Sequence, residues 1–252
     1  MSAPDGPAPV RTIALVPLRD GVSGKSRLAS SLDPAARRRL VAALARHVVA
    51  VLLAADGVDR VLVVTADVPF VDQTLAPLRR GGTSISTRQL ELPRRAETAA
   101  PSIEVVPQPP GRPGLNAALD VGRAAALERG ADRLLVAHAD LPLLTTDDVA
   151  ALLAAGAPAP DDARRRAAAV VATDRHLAGT NLLVLPAAPP FRFRFGEASR
   201  AAHVAEAERA GLRPVVVRRP GTAVDLDTID DWGELPRAVR DRLRHGLDLP
   251  LP

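Results

Sequence analysis

The sequence lacks cysteine and tyrosine, and aromatic residues make up only 2% of its 252 positions. The absence of cysteine excludes disulfide bonds, thiolate zinc sites and cysteine nucleophiles. The longest apolar run, Val48 to Ala55, is far shorter than the roughly 20 residues of a membrane-spanning helix. The N-terminal residues show neither a charged leader nor an apolar signal segment, so we expect a cytoplasmic protein without a membrane partner.

Lysine is also scarce, because Lys25 is the only one and arginine supplies the other basic residues. The net charge is only +4, and acidic residues are interspersed with the short arginine runs. Aromatic side chains that could stack on bases are few. We therefore expect no nucleic-acid partner.

Strand and helix patterns alternate along the chain. Continuous apolar runs predict strands at 12–16, 60–65, 103–106, 134–137, 167–172, 181–185 and 214–217. Helical periodicity and capping residues predict helices at 34–55, 71–80, 114–130, after a Thr146 cap, at 197–210 and at 230–244, the last kinked or split at Pro236. Strands that are apolar throughout are typical of a mostly parallel sheet covered on both faces.

These elements predict a single α/β domain. We expect it to span residues 11–245, between a disordered tail at 1–10 and a C-terminal tail at 246–252. Residues 81–102 are polar without a clear period, which predicts a surface insertion. Ligands of such sheets bind beyond the carboxyl ends of the strands, so the polar residues there are the candidates for a site.

A glycine-containing loop with Lys25 follows the first strand. Glycines let backbone N–H groups approach an anion, and lysine adds positive charge, so Gly24-Lys25-Ser26 suits a phosphate. The loop is not a P-loop, because Arg19 stands where that motif requires glycine. A solvated turn with one lysine is the alternative interpretation.

Aspartates follow two of the later strands. Asp140 comes after the fourth strand, and Asp225 and Asp227 lie two residues apart near the C-terminus. Oxygen ligands from two loops suit Mg²⁺, which takes further oxygens from a substrate phosphate. The alternatives are that Asp140 caps a helix or closes a turn and that Asp227 or Thr228 caps the last helix.

Two further segments suit an anion. Gly179-Thr180-Asn181 directly precedes a strand, and Gly196 and Ser199 bracket the start of a helix. A hydroxyl group and exposed backbone amides at such a helix start attract a phosphate or carboxylate. Simple helix capping is the alternative role for Ser199.

Taken in order, these motifs resemble one family, the 2-phospho-L-lactate or phosphoenolpyruvate guanylyltransferases of coenzyme F-420 biosynthesis. The resemblance spans residues 11–235 and rests on GKSRL, PGLNAAL, ADLPLL, GTNLLVLP, FGEAS followed by His203, and DLDT. It implies a three-layer α/β/α Rossmann-like nucleotidyltransferase fold. It also implies that the phosphate of a small phospho-acid attacks the α-phosphorus of GTP and that pyrophosphate leaves, with Mg²⁺ as cofactor.

The resemblance implies roles for particular residues. It makes Lys25, Asp140 and Asp227 catalytic, and it assigns metal binding to Asp140, Asp225 and Asp227, with Asp227 preferred of the last two. The implied nucleotide contacts are Lys25, Gly114 and Asn116, and the implied phospho-acid contacts are Thr180, Gly196 and Ser199. Phosphoenolpyruvate is the expected acceptor and 2-phospho-L-lactate the alternative.

The chain departs from the family at two points. Arg19 replaces a lysine that is common after the first strand, and the 81–102 insertion is longer than expected. The competing functions are another nucleotidyltransferase of this fold, of the molybdenum-cofactor or sugar-phosphate type, and a non-catalytic nucleotide-binding protein. The residues alone do not choose guanine over adenine, and they leave a homo-oligomer open.

Overall fold

The computed structural model describes residues 10–19, 25–80, 101–157, 166–188 and 190–251. Most of the predicted N-terminal tail and of the 81–102 insertion lies outside these described residues, as does the glycine part of the loop before Lys25. The domain boundaries inferred from the sequence therefore stay predictions.

Within the described part of the chain, seven strands form one sheet in the order β3-β2-β1-β4-β6-β5-β7. The strands are β1 Thr12–Pro17, β2 Arg60–Thr65, β3 Ser102–Pro107, β4 Arg133–Ala137, β5 Ala168–Thr173, β6 Thr180–Pro186 and β7 Arg213–Val217. Strand β6 runs antiparallel to both β4 and β5, and all other pairs are parallel. The prediction of a mostly parallel sheet is confirmed.

Helices connect these strands and cover both faces. They are α1 Pro34–Ala54, α2 Val68–Arg80, α3 Leu115–Glu128, α4 Thr146–Ala155, α5 Ser199–Arg209, α6 Pro220–Ala223, α7 Ile229–Glu234 and α8 Arg237–Leu247, with a short 3-10 helix at Ser26–Leu28. The predicted cap of α1 is confirmed, because the Asp33 side chain accepts a hydrogen bond from the backbone N–H of Ala36 at 2.7 Å.

Several predicted boundaries were wrong. Helix α2 begins three residues earlier than predicted, and α4 is capped by Thr145, whose hydroxyl accepts from the backbone N–H of Asp148, and not by Thr146. Helix α5 begins at Ser199 because Gly196 and Ala198 have φ angles of 137° and 51°, which interrupt a helix. The predicted break at Pro236 is confirmed as the gap between α7 and α8.

Apolar side chains fill the space on both faces of the sheet. Strand residues such as Leu135 and Val136 are fully buried and alternate between the two core clusters. A third cluster includes Leu249 and Leu251, so part of the expected C-terminal tail packs against the domain beside Trp232. Among the described residues, no helix combines the length and the apolar character needed to cross a bilayer.

One edge of the sheet gathers the predicted site. The carboxyl ends of β1, β2, β3 and β4 meet there, and the antiparallel direction of β6 brings its first residues to the same edge. The backbone N–H of His138 donates to the carbonyl of Asn181 at 3.1 Å, which joins the end of β4 to the start of β6. This arrangement puts the aspartates and the Thr180 segment on one rim.

Candidate functional site

A cavity of about 480 Å³ opens at this edge of the sheet. Five residues predicted from the sequence line it: Lys25, Gly114, Asp140, Asp225 and Asp227. The other lining residues combine apolar side chains with Arg19, Arg27, Gln108 and His138. The cavity therefore joins a carboxylate-rich part with a part that is mostly apolar.

Lys25 bridges two of the aspartates. Its Nζ atom lies 2.5 Å from Oδ2 of Asp140 and 2.6 Å from Oδ1 of Asp227, and its side chain is only 6% exposed. The loop of Asp227 is tied to that of Asp140, because the backbone N–H of Leu226 donates to the Asp140 carbonyl at 3.0 Å. Residues that are distant in sequence thus converge at one point.

Charge is crowded around these groups. Burial disfavours the charged forms of Lys25 and Asp140, but each stabilises the other, and the pKa of Lys25 is raised while that of Asp140 is lowered. Burial also raises the pKa of Asp225, and the negative charges of Asp140 and Asp227 raise it further. The three carboxylates therefore carry more negative charge than one ammonium group balances.

The donor set fits a divalent cation. Oδ1 of Asp140 is buried without a hydrogen-bond partner among the described residues. The described residues form no preformed group of three acidic or histidine ligands. The Lys25 ammonium lies between Asp140 and Asp227. An unpaired carboxylate oxygen next to crowded carboxylates is nevertheless an environment that suits Mg²⁺. Thr228 caps α7, which leaves the Asp227 side chain available to the cavity.

The two residues of the predicted nucleotide motif lie in different surroundings. Gly114 lines the cavity at the start of α3 with a φ angle of 94°, a backbone conformation that favours glycine. The Asn116 amide instead makes two hydrogen bonds with the backbone of Phe195, donating to its carbonyl at 3.0 Å and accepting from its N–H at 2.9 Å. Asn116 thus holds the segment that leads to Gly196.

The predicted acceptor residues Thr180 and Ser199 form one buried network with His203. Ser199 Oγ accepts a hydrogen bond from the Thr180 backbone N–H at 2.9 Å, and Thr180 Oγ1 lies 2.9 Å from Nδ1 of His203. Nε2 of His203 accepts from the Arg194 backbone N–H at 3.0 Å. Since Nε2 is an acceptor, Nδ1 carries the hydrogen and donates to Thr180.

The protonation state of His203 follows from its surroundings. Burial lowers its pKa to about 4, with a smaller contribution from nearby His138 and an opposing one from Glu206. The ring is therefore neutral near pH 7 and keeps a fixed tautomer. Because His203 supplies the hydrogen of its bond to Thr180, the Thr180 hydroxyl hydrogen is left to donate elsewhere.

The segment 190–195 forms neither a strand nor a helix. Side-chain contacts hold it in place instead. Three phenylalanines, Phe191, Phe193 and Phe195, alternate with exposed arginines and are buried. The ring of Phe195 lies 5.1 Å from that of His138 and 4.6 Å from that of His203. These contacts place Gly196, with its φ angle of 137°, next to the network of Thr180, Ser199 and His203.

The sequence did not reveal the roles of Asn181 and His203. Asn181 is buried, donates to the Thr222 carbonyl at 2.9 Å and lies 3.4 Å from Oδ1 of Asp225, so it supports that carboxylate. His203 was part of a motif but had no assigned role. A buried polar residue at the start of an apolar strand was the available signal for Asn181, whereas its partners depend on tertiary structure.

Comparison with known proteins identifies the family. The family model described as "Guanylyl transferase CofC like" matches residues 96–241. The phosphoenolpyruvate guanylyltransferase of Sphaerobacter thermophilus is 38% identical over 224 residues, which cover 89% of this chain and 92% of that protein. The 3-phospho-D-glycerate guanylyltransferase of Phenylobacterium zucineum is 34% identical and covers 89% of each chain.

A solved structure supports the fold. A nucleotidyl transferase from Methanothermobacter superposes with a TM-score of 0.53 at 17% identity, covering 94% of this chain and 99% of that one. The three-layer nucleotidyltransferase fold is thereby confirmed. The relatives are nucleotidyltransferase enzymes by name, which confirms the expectation of an enzyme. This chain belongs to the CofC-like guanylyl transferase family.

Proposed function

We propose that the protein transfers GMP from GTP to the phosphate of a small phospho-acid in coenzyme F-420 biosynthesis. An oxygen of the acceptor phosphate forms a bond to the α-phosphorus of GTP. The bond between the α-phosphorus and the bridging oxygen to the β-phosphate breaks, and pyrophosphate leaves with the electron pair. Reactions of this kind depend on alignment and charge stabilisation more than on covalent help from the protein.

The observation that carries this proposal is the convergence of Lys25, Asp140 and Asp227 at one point of the cavity. The Thr180–Ser199–His203 network lies on the same rim, where His138 at the end of β4 contacts Asn181 beside Thr180. The proposed phosphate site and the proposed acceptor site thus belong to the same edge of the sheet, although Thr180, Gly196 and Ser199 do not line the cavity itself.

Cationic side chains suit the nucleotide phosphates. Lys25, Arg19 and Arg27 line the cavity with the aspartates. Positive charge held in a partly enclosed site stabilises the charge that develops on the leaving pyrophosphate. Lys25 pairs with carboxylates in this structure, so its proposed contact with GTP requires it to share its donors with a phosphate oxygen.

We propose Asp140, Asp225 and Asp227 as the residues that hold Mg²⁺. The unpaired Oδ1 of Asp140 and the crowding of the three carboxylates support this assignment. When bound, the ion supplies charge neutralisation for phosphate oxygens. Lys25 and Asn181 hold the carboxylates of Asp140 and Asp225 in place.

We propose that Thr180, Ser199 and Gly196 form the acceptor subsite. The Thr180 hydroxyl keeps its hydrogen available for an anion, and Ser199 stands at the start of α5, where backbone N–H groups favour negative charge. Ser199 also accepts a hydrogen bond from the Thr180 N–H, which fixes the position of one residue relative to the other. Neutral His203 behind them adds no charge of its own.

Phosphoenolpyruvate is the proposed acceptor, because the relative from Sphaerobacter thermophilus carries that substrate in its name. The relative from Phenylobacterium zucineum is named for 3-phospho-D-glycerate at similar coverage, so this is the second candidate. Both acceptors combine one phosphate with one carboxylate on a three-carbon chain, as 2-phospho-L-lactate does.

The test is a pyrophosphate-release assay with GTP, Mg²⁺ and each of the three phospho-acids side by side. We expect release only when nucleotide, metal and acceptor are all present, with phosphoenolpyruvate giving the highest kcat/KM. Absence of release with all three acceptors would contradict the proposed function. Higher kcat/KM with 3-phospho-D-glycerate would keep the reaction class and replace the acceptor.

A further inference from the structure

Gln108 occupies the end of the cavity opposite the carboxylates. It directly follows β3 and lines the cavity, whereas Asp140 follows β4. In the sheet order, β3 and β4 are three strand spacings apart, or about 14 Å. The lining between the two residues is mostly apolar and includes Pro17, Leu18, Val64, Leu115 and Ala118. A flat ring system could be accommodated there, with its phosphates reaching toward Lys25.

The orientation of the Gln108 amide is fixed by its neighbours. Nε2 donates to the carbonyl oxygen of Arg112 at 2.5 Å and to that of Gly114 at 3.0 Å, which uses both of its hydrogens. The Gln108 backbone N–H donates to the Thr65 carbonyl at 2.7 Å, so the residue is anchored at the sheet edge. A reversed amide would set an oxygen against two carbonyl oxygens. Oε1 is therefore held as an acceptor, and within the described part of the chain it has no donor.

We propose that Oε1 of Gln108 recognises guanine by accepting hydrogen bonds from the N1–H and exocyclic amine on its Watson–Crick edge. This inference rests on the proposed function, which it deepens by naming a residue that selects the base. The apolar residues beside Gln108 contact the faces of the ring, and Gln108 contacts its edge. The bonds to Arg112 and Gly114 keep the acceptor in place before the nucleotide arrives.

A fixed acceptor separates guanine from adenine by simple chemistry. Guanine offers two adjacent donors, at N1 and at the amine on C2, whereas adenine offers an acceptor at N1, has only a hydrogen at C2 and carries its amine on C6, on the other side of N1. An oxygen placed opposite these positions bonds guanine and faces the lone pair of adenine N1. A site built to pair with a hydrogen-bonding group rejects analogues that lack it, because its own polar atom is left unpaired.

The first experiment uses the wild-type protein with GTP, ITP and ATP. ITP keeps the N1–H and lacks the amine, so we expect kcat/KM to fall in the order GTP, ITP, ATP, with ATP at least tenfold below GTP. Calorimetric titration with the same three nucleotides should give the same order of affinity. Equal affinity for GTP and ATP would overturn the inference.

The second experiment compares Gln108→Met with Arg112→Ala. Methionine keeps the length of the side chain and removes the acceptor. We therefore expect the ratio of kcat/KM for GTP to kcat/KM for ATP to fall at least tenfold, while the KM of the phospho-acid stays unchanged. Arg112→Ala alters the same turn and keeps the carbonyl that Gln108 contacts, so its nucleotide ratio should equal that of the wild type. If Gln108→Met weakens all nucleotides equally, Gln108 only braces the turn and the inference is wrong.

The proposed function and the assignment of the base to Gln108 fail in different ways. If the proposed function is wrong, the wild type releases no pyrophosphate with any acceptor, and calorimetry still reports whether GTP binds more tightly than ATP. If only the assignment of the base to Gln108 is wrong, the wild type turns over GTP, and Gln108→Met has the same ratio of kcat/KM for GTP to kcat/KM for ATP as the wild type. Should Gln108→Met fail to fold, Gln108→Leu, which also lacks the acceptor, is measured in the same way, because the nucleotide order of the wild type tests the preference for guanine and only a variant assigns it to Gln108.

Discussion

The Nζ atom of Lys25 lies 2.5 Å from Oδ2 of Asp140, a residue 115 positions further along the chain. The same nitrogen bonds Asp227, so one ammonium group links the loops that follow β1 and β4 to the segment before α7. Because Lys25 is the only lysine of the protein, no other ammonium side chain can replace it. This bridge leads to the first prediction.

Replacement of Lys25 by methionine should lower kcat/KM by at least about 100-fold, because a charge that stabilises phosphate oxygens is lost. Lys25→Arg keeps the charge but changes the donor geometry, so we expect an intermediate loss. Both are measured by pyrophosphate release at saturating Mg²⁺. If Lys25→Met released pyrophosphate at the wild-type rate, Lys25 would stabilise the fold and take no part in the reaction.

Asn116→Asp tests whether Asn116 serves the nucleotide or the acceptor segment. An aspartate can still accept from the Phe195 N–H, but its second oxygen meets the Phe195 carbonyl, which should displace the neighbouring Gly196. We expect the KM of the phospho-acid to rise about tenfold, with the KM of GTP within twofold of wild type. The opposite pattern would support the direct nucleotide contact expected from the sequence.

The sequence was informative where one residue type decides the local structure. The strands were recognisable because they contain apolar runs such as 61–64, and the cap at Asp33 and the break at Pro236 follow from local chemistry. The start of α5 was misplaced because the positive φ angle of Ala198 depends on its surroundings. No pattern in a single sequence indicates which residue becomes left-handed there.

The site was predictable as a set of residues but not as a set of bonds. The carboxylates could be expected together because their strands end at one edge. That Lys25 pairs with Asp140, or that Asn116 pairs with Phe195, depends on contacts across 115 and 79 residues. Such pairings require the folded chain, so the sequence assigned Asn116 to the nucleotide without its bonds to Phe195 and left the role of His203 open.

The depressed pKa of His203 makes stability depend on pH. In the native state His203 stays neutral down to about pH 4, whereas in the unfolded chain it takes up a proton below about pH 6.5. The contribution of neutral His203 to the free energy of unfolding is therefore fully present above about pH 6.5. It is lost as the pH falls toward 4, and the loss is on the order of 3 kcal/mol.

The measurement is urea unfolding of the wild type and of His203→Asn between pH 4 and 7.5. Asparagine can still donate to Thr180 and does not titrate, so we expect this variant to lose less stability on acidification. His176→Gln, at an exposed position, serves as the control and should follow the wild type. Parallel pH profiles for wild type and His203→Asn would show that His203 does not carry this dependence.

The dependence of the reaction on the joined carboxylates is the central claim, and Asp140→Asn tests it most directly in the pyrophosphate-release assay with GTP, Mg²⁺ and phosphoenolpyruvate. The exposed Asp147→Asn change on α4 is the matched control. We predict that Asp140→Asn lowers turnover at least about 1000-fold, with a circular dichroism spectrum like that of the wild type, while Asp147→Asn retains full activity. Turnover by folded Asp140→Asn within a few fold of wild type would contradict the account.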